Sequence, residues 1–278
     1  MSKALRILGL KVHDVEETFA YHSDFWVEYL DGQKSPEELK AMLYQTYKNV
    51  DAVCDLPCYF FWKEFLEVFP NCKVLLSVRE EDPWWNSMKM QFDLNYTVGF
   101  YKMPCKIRKI FNFLFSPRLR KICAIIDVYW ATLSGYKSQQ KALLPGLGPA
   151  VNQLPEIPSR RCYRAHNADV LKNCPPEKLL VINGKKDFLD SKKLWTRLSV
   201  FLEIDEKDRI DPSTEFPYEN RGNVSGQNIV DQLLRGKGDN GQSVNLARLI
   251  EDEIGERFRL VGYIFVVVVV FLGVGFFI

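Results

Sequence analysis

The sequence predicts an α/β fold, a parallel sheet flanked by helices, followed by a transmembrane helix near its C-terminus. Two observations carry that expectation. The runs "CKVLLSVR" (Cys72 to Arg79) and "KLLVIN" (Lys178 to Asn183) are rich in apolar and β-branched residues, as strands buried on both faces of a parallel sheet are, and helix-patterned stretches separate the strand-like runs. The run "LVGYIFVVVVVFLGVGFFI", Leu260 to Ile278, holds no charged residue. At about 1.5 Å per residue it reaches roughly 28 Å, close to the thickness of bilayer hydrocarbon. A buried strand or core helix is the competing account, and one unbroken apolar segment of this length is hard to place in a soluble core.

Taken in order, Ser2 to Leu8 reads as a helix stopped at Gly9, with a short strand "LKVHD" from Leu10 to Asp14. Pro36 to Val50 has Leu39, Met42, Leu43 and Tyr47 at helical spacing, and Asp51 to Asp55 reads as another short strand. Cys58 to Phe69 puts Phe61, Phe65 and Phe69 on one helical stripe that Pro70 ends, and the apolar strand 72–79 comes next. Strand, helix, strand at these lengths means a right-handed βαβ crossover. The basic and aromatic stretch from Tyr96 to Tyr136 reads as ordinary helical packing with solvated Lys and Arg. A basic amphipathic lid against a membrane is the other reading. Lys141 to Pro158 is a Pro- and Gly-rich loop whose Gly146-Leu147-Gly148 is no phosphate cradle, since no strand leads into it. Asp190 to Leu202 closes the domain as a helix. The resulting division is a domain over 1–221, a Gly-, Asn- and Gln-rich linker with a juxtamembrane helix over 222–259, and a tail anchor over 260–278.

Composition removes several function classes. The net charge of +2 gives no basic field of the kind that collects nucleic-acid phosphates, so nucleic acid is not an expected partner. Seven cysteines, odd in number and without a CxxC pair, fit reduced thiols facing the cytosol rather than a disulfide framework or a zinc site, and no metal is expected. No export signal is visible at the N-terminus. Arg257 and Arg259 flank the apolar run on its inner side, so the expected arrangement is a single-pass membrane protein with its main domain in the cytosol.

The stretch "LLSVREEDPWWNS", Leu75 to Ser87, places an arginine at the carboxyl end of a strand, the edge where α/β sheets bind ligands. Ser87, eight positions on, falls in the first turns of the following helix. The fork of donors on Arg79, the Ser87 hydroxyl and the free amides of a helix N-terminus would together hold a phosphate. On spacing alone the plainer reading is the stronger, with Arg79 paired to Glu80 or Glu81 and Ser87 merely exposed.

Resemblance reverses that order. The run "AVCDLPCYFFWKEFLEVFPNCKVLLSVREEDPWWNSM" resembles the sulfotransferase family, in the branch with a D-x-P segment followed by V-R-x-x-x-x-W-x-x-S. "RCYRAHNADVLKNCPPEKLLVINGKKDFLDSKKLWTRLSVFL" is similar to that branch's Y-x-x-H-N-x-x-V, P-E-x-L-L-V and W-x-x-L-x-x-F-L segments, and "FPYEN" to its F-P-x-x-N. The resemblance covers about residues 1 to 221. It implies a sulfotransferase fold of the P-loop superfamily and 3′-phosphoadenosine 5′-phosphosulfate (PAPS) as sulfuryl donor to an acceptor hydroxyl or amine. It also implies that Arg79 and Ser87 bind the donor's 3′-phosphate. Asp55 stands where cytosolic members carry a catalytic histidine. It reads either as the base that takes the acceptor's proton or, with Leu56-Pro57 after it, as a helix N-cap. His166 and Asn167 match the branch without a role that can be derived.

The family's N-terminal K-[ST]-G-T phosphate loop and its strand are not in this sequence; "SKALRILGLKVHD" resembles the helix and strand that follow them. The expectation is therefore either a piece of a longer product or a degenerate member without transferase activity, because the cradle depends on consecutive backbone amides. The alternative function is a non-catalytic nucleotide-binding or interaction module at a membrane surface. The small-molecule acceptor is not legible.

Overall fold

The computed structural model describes residues 1–30, 34–97, 116–135, 154–184, 186–206, 210–211 and 214–217, with positions 249, 252–253 and 255–256 beyond them. The Gly146–Gly148 loop, the 222–242 linker and the 260–278 span lie outside the described residues, as does the 245–260 helix except for those last few positions. Among the described residues no helix is long and apolar enough to cross a membrane.

Local signals set most elements. Helix α1 (Ser2–Ile7) runs into Gly9, whose φ of +81° is a backbone conformation that glycine adopts without a Cβ clash. Strand β1 (Val12–His13) leads into α2 (Val15–Tyr21) through Asp14, which forms a capping box with Glu17, and α3 (Ser23–Leu30) follows. Helix α4 (Pro36–Tyr47) begins with a second capping box, Ser35 with Glu38, and a proline in its first turn. Then come β2 (Ala52–Val53), a 3₁₀ turn (Cys58–Phe61) and α5 (Trp62–Val68). Strand β3 (Val74–Val78) precedes α6 (Glu81–Thr97), α7 (Pro117–Leu133) and α8 (Glu156–Asn173). Strand β4 (Leu179–Asn183) and α9 (Ser191–Phe201) close the order.

The parallel pairing predicted from the apolar runs is present, in two pieces. Val12 and His13 lie opposite Ala52 and Val53, and Val74–Val78 lies opposite Leu179–Asn183 in register. Among the described residues no hydrogen-bonded strand bridges the two pairs. Apolar packing joins them instead. Ala4, Leu5, Val12, Ile182, Trp195 and Leu198 form one cluster, and Ala52, Cys54, Leu75 and Leu180 pack against it from both strand pairs. A second cluster centres on Phe19, Trp26, Leu43, Tyr47 and Ile125, so α7 packs into the core beside α3. That part of the basic aromatic stretch is ordinary helical packing. Within this cluster the Trp26 indole donates to the buried Tyr47 hydroxyl at 2.7 Å, which satisfies two polar groups that burial would otherwise penalise.

Three local readings are corrected. The strands predicted over 10–14 and 51–55 are only two residues long each, and among the described residues β1 and β2 pair only with each other. The helix expected from Cys58 starts as a 3₁₀ turn and becomes α-helical at Trp62. The loop expected to run to Pro158 ends earlier, since α8 begins at Glu156 with Pro158 in its first turn, where a missing N–H costs nothing.

Candidate functional site

A cleft of about 1080 Å³ opens at the carboxyl ends of β3 and β4. Tyr59 and Phe60 of the 3₁₀ turn, Trp84 and Met88 of α6, Tyr129 of α7 and Tyr163 of α8 give it an aromatic wall, and Phe188 and Phe216 close the far side. Arg79, one residue past β3, lines it together with Ser77, Gly184, His166 and Asn167. This is the edge at which a parallel sheet presents strand-end side chains to a ligand.

Of the residues the sequence singles out for chemistry, the cleft takes in Arg79. Ser87 is half-buried on α6, six positions after Glu81, and is not part of the described lining. Asp55 is likewise outside it. Of the two partners that spacing alone offered Arg79, Glu80 or Glu81, the second is engaged by α8. Glu81 receives both bonds from Arg164, at 2.6 and 2.7 Å, and a longer one from Arg160, at 3.3 Å; Asp82 receives Arg160 at 2.6 Å. These arginines hold the Glu81 carboxyl below its usual pKa, Arg164 first. The acidic first turn of α6 is thus tied to α8.

Asp55 does not cap the helix that follows. The 3₁₀ turn has Pro57 at its cap position and takes no side-chain bond there, while the Asp55 carboxylate accepts from the adjacent Leu56 N–H at 2.8 Å. Its φ of +59° places a non-glycine residue in the left-handed region, at a cost of about 1 to 2 kcal/mol that Asp tolerates better than most side chains. The side chain is open to solvent in a recess crowded by protein. Burial first and the Asp14 carboxylate second raise its pKa to about 6. Asp55 in turn helps raise the hydroxyls of Tyr59 and Tyr129 in the cleft wall, after burial, which acts most strongly on both.

His166 and Asn167, matched by sequence but given no role, belong to the cleft. Burial lowers the His166 pKa, so its imidazole is neutral at pH 7, and its ring meets Tyr59 edge-on at 5.3 Å. The signal for this was present in the spacing. Residues 163, 166, 167 and 170 fall on one face of a helix, and Val170 is fully buried against Trp62 and Leu76. What hid it was that the segment did not read as a helix.

In comparison with known proteins, a sulfotransferase domain model matches residues 1–224. No curated protein matches the chain. The match spans the greater part of the sequence, including α1 to α9, both strand pairs and every residue of the cleft, and on that extent the chain belongs to the sulfotransferase domain family.

Proposed function

We propose that the cleft is a nucleotide site in which Arg79 binds the 3′-phosphate of PAPS, the sulfonate donor general to sulfotransferases, with Ser87 as a second phosphate contact. One observation carries this reading: the guanidinium-bearing residue at the end of β3 lines a large cleft, and two carboxylates beside it, Glu81 and Asp82, are engaged by arginines of α8. An arginine fork matches phosphate oxygens in pairs, and with Glu81 and Asp82 paired to arginines the start of α6 repels an anion less. Ser87 supports the same contact from a half-exposed position on α6, roughly 9 Å along the axis from Glu81 at the rise of an α-helix. Asp55 is the proton acceptor of this reading. Its raised pKa of about 6 leaves it largely ionised at neutral pH, and it acts electrostatically on Tyr59 and Tyr129 of the wall.

The reaction class is transfer of a sulfuryl group to an acceptor hydroxyl or amine. The sequence contains no K-[ST]-G-T run, so the polypeptide 1–278 on its own is expected to bind nucleotide without transferring. A second reading, favoured by the apolar run 260–278, is a non-catalytic nucleotide-binding module held at a membrane by that run.

Calorimetric titration with 3′-phosphoadenosine 5′-phosphate tests the site. Arg79→Ala should weaken binding roughly ten- to a hundredfold, the range for a charge-assisted contact. Binding indifferent to that change would sink the phosphate site, and robust sulfuryl transfer by the same polypeptide would sink the second reading.

A further inference from the structure

We infer that Tyr163 is a positioning residue for Arg79, its phenol holding the backbone from which the phosphate-binding guanidinium extends. The inference rests on the phosphate reading of Arg79. Along a strand successive residues turn their N–H and C=O groups to opposite sides. Val78 directs its carbonyl to β4, where it accepts from the Gly184 N–H at 2.8 Å. Arg79, the next residue, therefore turns its own N–H and C=O away from β4. Both meet one atom. The Arg79 N–H donates to the Tyr163 hydroxyl at 3.1 Å, and that hydroxyl donates to the Arg79 carbonyl at 2.8 Å. A single phenol thus does for Arg79 what the peptide of a neighbouring strand does for the residues before it.

The phenol is itself held in place. Its ring stacks on Trp84 with centroids 4.3 Å apart and planes 17° from parallel. Three residues before it and one after, Arg160 and Arg164 tie α8 to Glu81 and Asp82. The segment 79–82 is accordingly attached to one helix twice, at the Arg79 backbone through Tyr163 and at Glu81 and Asp82 through the arginines. An exposed arginine forfeits much of a contact's value to the ordering of its long side chain, so fixing the Cα from which it projects raises the share that appears as affinity. The same arrangement accounts for the Tyr163, His166, Asn167 spacing: the first holds the strand end, and the other two line the cleft beside it.

The test compares affinities for 3′-phosphoadenosine 5′-phosphate and adenosine 5′-phosphate in the wild-type chain, Tyr163→Phe, Arg79→Ala and the double variant. Phenylalanine keeps the stack on Trp84 and removes only the hydroxyl. Tyr163→Phe is expected to weaken the 3′-phosphorylated nucleotide by roughly three- to tenfold, to leave adenosine 5′-phosphate unchanged, and to add nothing in the Arg79→Ala background. A general structural role would weaken both nucleotides alike, and that result, or full additivity with Arg79→Ala, overturns the inference. If Arg79→Ala has no effect, or no nucleotide binds, the phosphate reading fails and the positioning role falls with it. Amide hydrogen exchange at Arg79 then still reports the latch, which should exchange faster in Tyr163→Phe; an unchanged rate shows that the two bonds do not hold the backbone.

Discussion

Asp55 combines two costs at one position, a left-handed backbone and a carboxylate whose ionisation the fold disfavours. A carboxyl whose pKa is raised on folding lends stability below its unfolded value near 3.8 and loses it as pH climbs through about 6. Wild-type stability should therefore decline over that window through Asp55. Asn has no charge to lose and tolerates the same φ, so Asp55→Asn should be more stable than wild type at pH 7, by less than about 1 kcal/mol given the screening of an open side chain. The difference should shrink by pH 4. Denaturant unfolding at the two pH values decides it, and a variant less stable at pH 7 would show that the carboxylate is held by favourable contacts instead. Legibility differs sharply among the candidate residues at this scale. Arg79 could be placed from sequence because a strand-end position is a local property. The Glu81 partnership could not, since Arg160 and Arg164 lie some eighty positions away and only the packing of α8 on α6 brings them in.

Among the elements, the first turns of α2 and α4 were written in the chain, as D-x-x-E and S-P-E-E, and both capping boxes form. Glu17 does more than cap. It is buried, accepts the Asp14 N–H at 2.9 Å and takes Arg6 of α1 at 2.7 Å, so one carboxylate joins α1, β1 and α2. Glu17→Ala strands the arginine and opens the cap, which should cost about 1.5 to 3 kcal/mol in urea unfolding. Glu17→Gln keeps an acceptor for the cap and should cost less; equal losses would mean that the charge on Glu17, not its capping acceptor, carries the contribution. Helix α8 is the counterexample. Its polar sequence hides the periodicity that reveals α4 and α9, because the face it buries is narrow and much of its attachment is ionic, through Arg160, Arg164 and the Asp169 to Lys63 pair. Hydrophobic patterning is blind to contacts of that kind.

For the molecule as a whole, the apolar run 260–278 predicts membrane attachment. Full-length protein should stay with the membrane through carbonate extraction while a version cut after Arg259 is released, and equal release of the two would rule the anchor out. Over the domain itself, the four strands and their parallel sense, the helices at 2–7, 36–47 and 191–201 and the strand-end arginine followed from sequence, because periodicity and strand-like runs are short-range and each residue reports its own neighbourhood. The division of the sheet into two pairs, the cleft between α6, α7 and α8, the exclusion of Asp55 and Ser87 from its described wall and the hold of Tyr163 on Arg79 were decided by tertiary structure. Each depends on which distant faces bury against one another, and a hydroxyl meets a backbone 84 positions away only after the apolar surfaces around both have been packed.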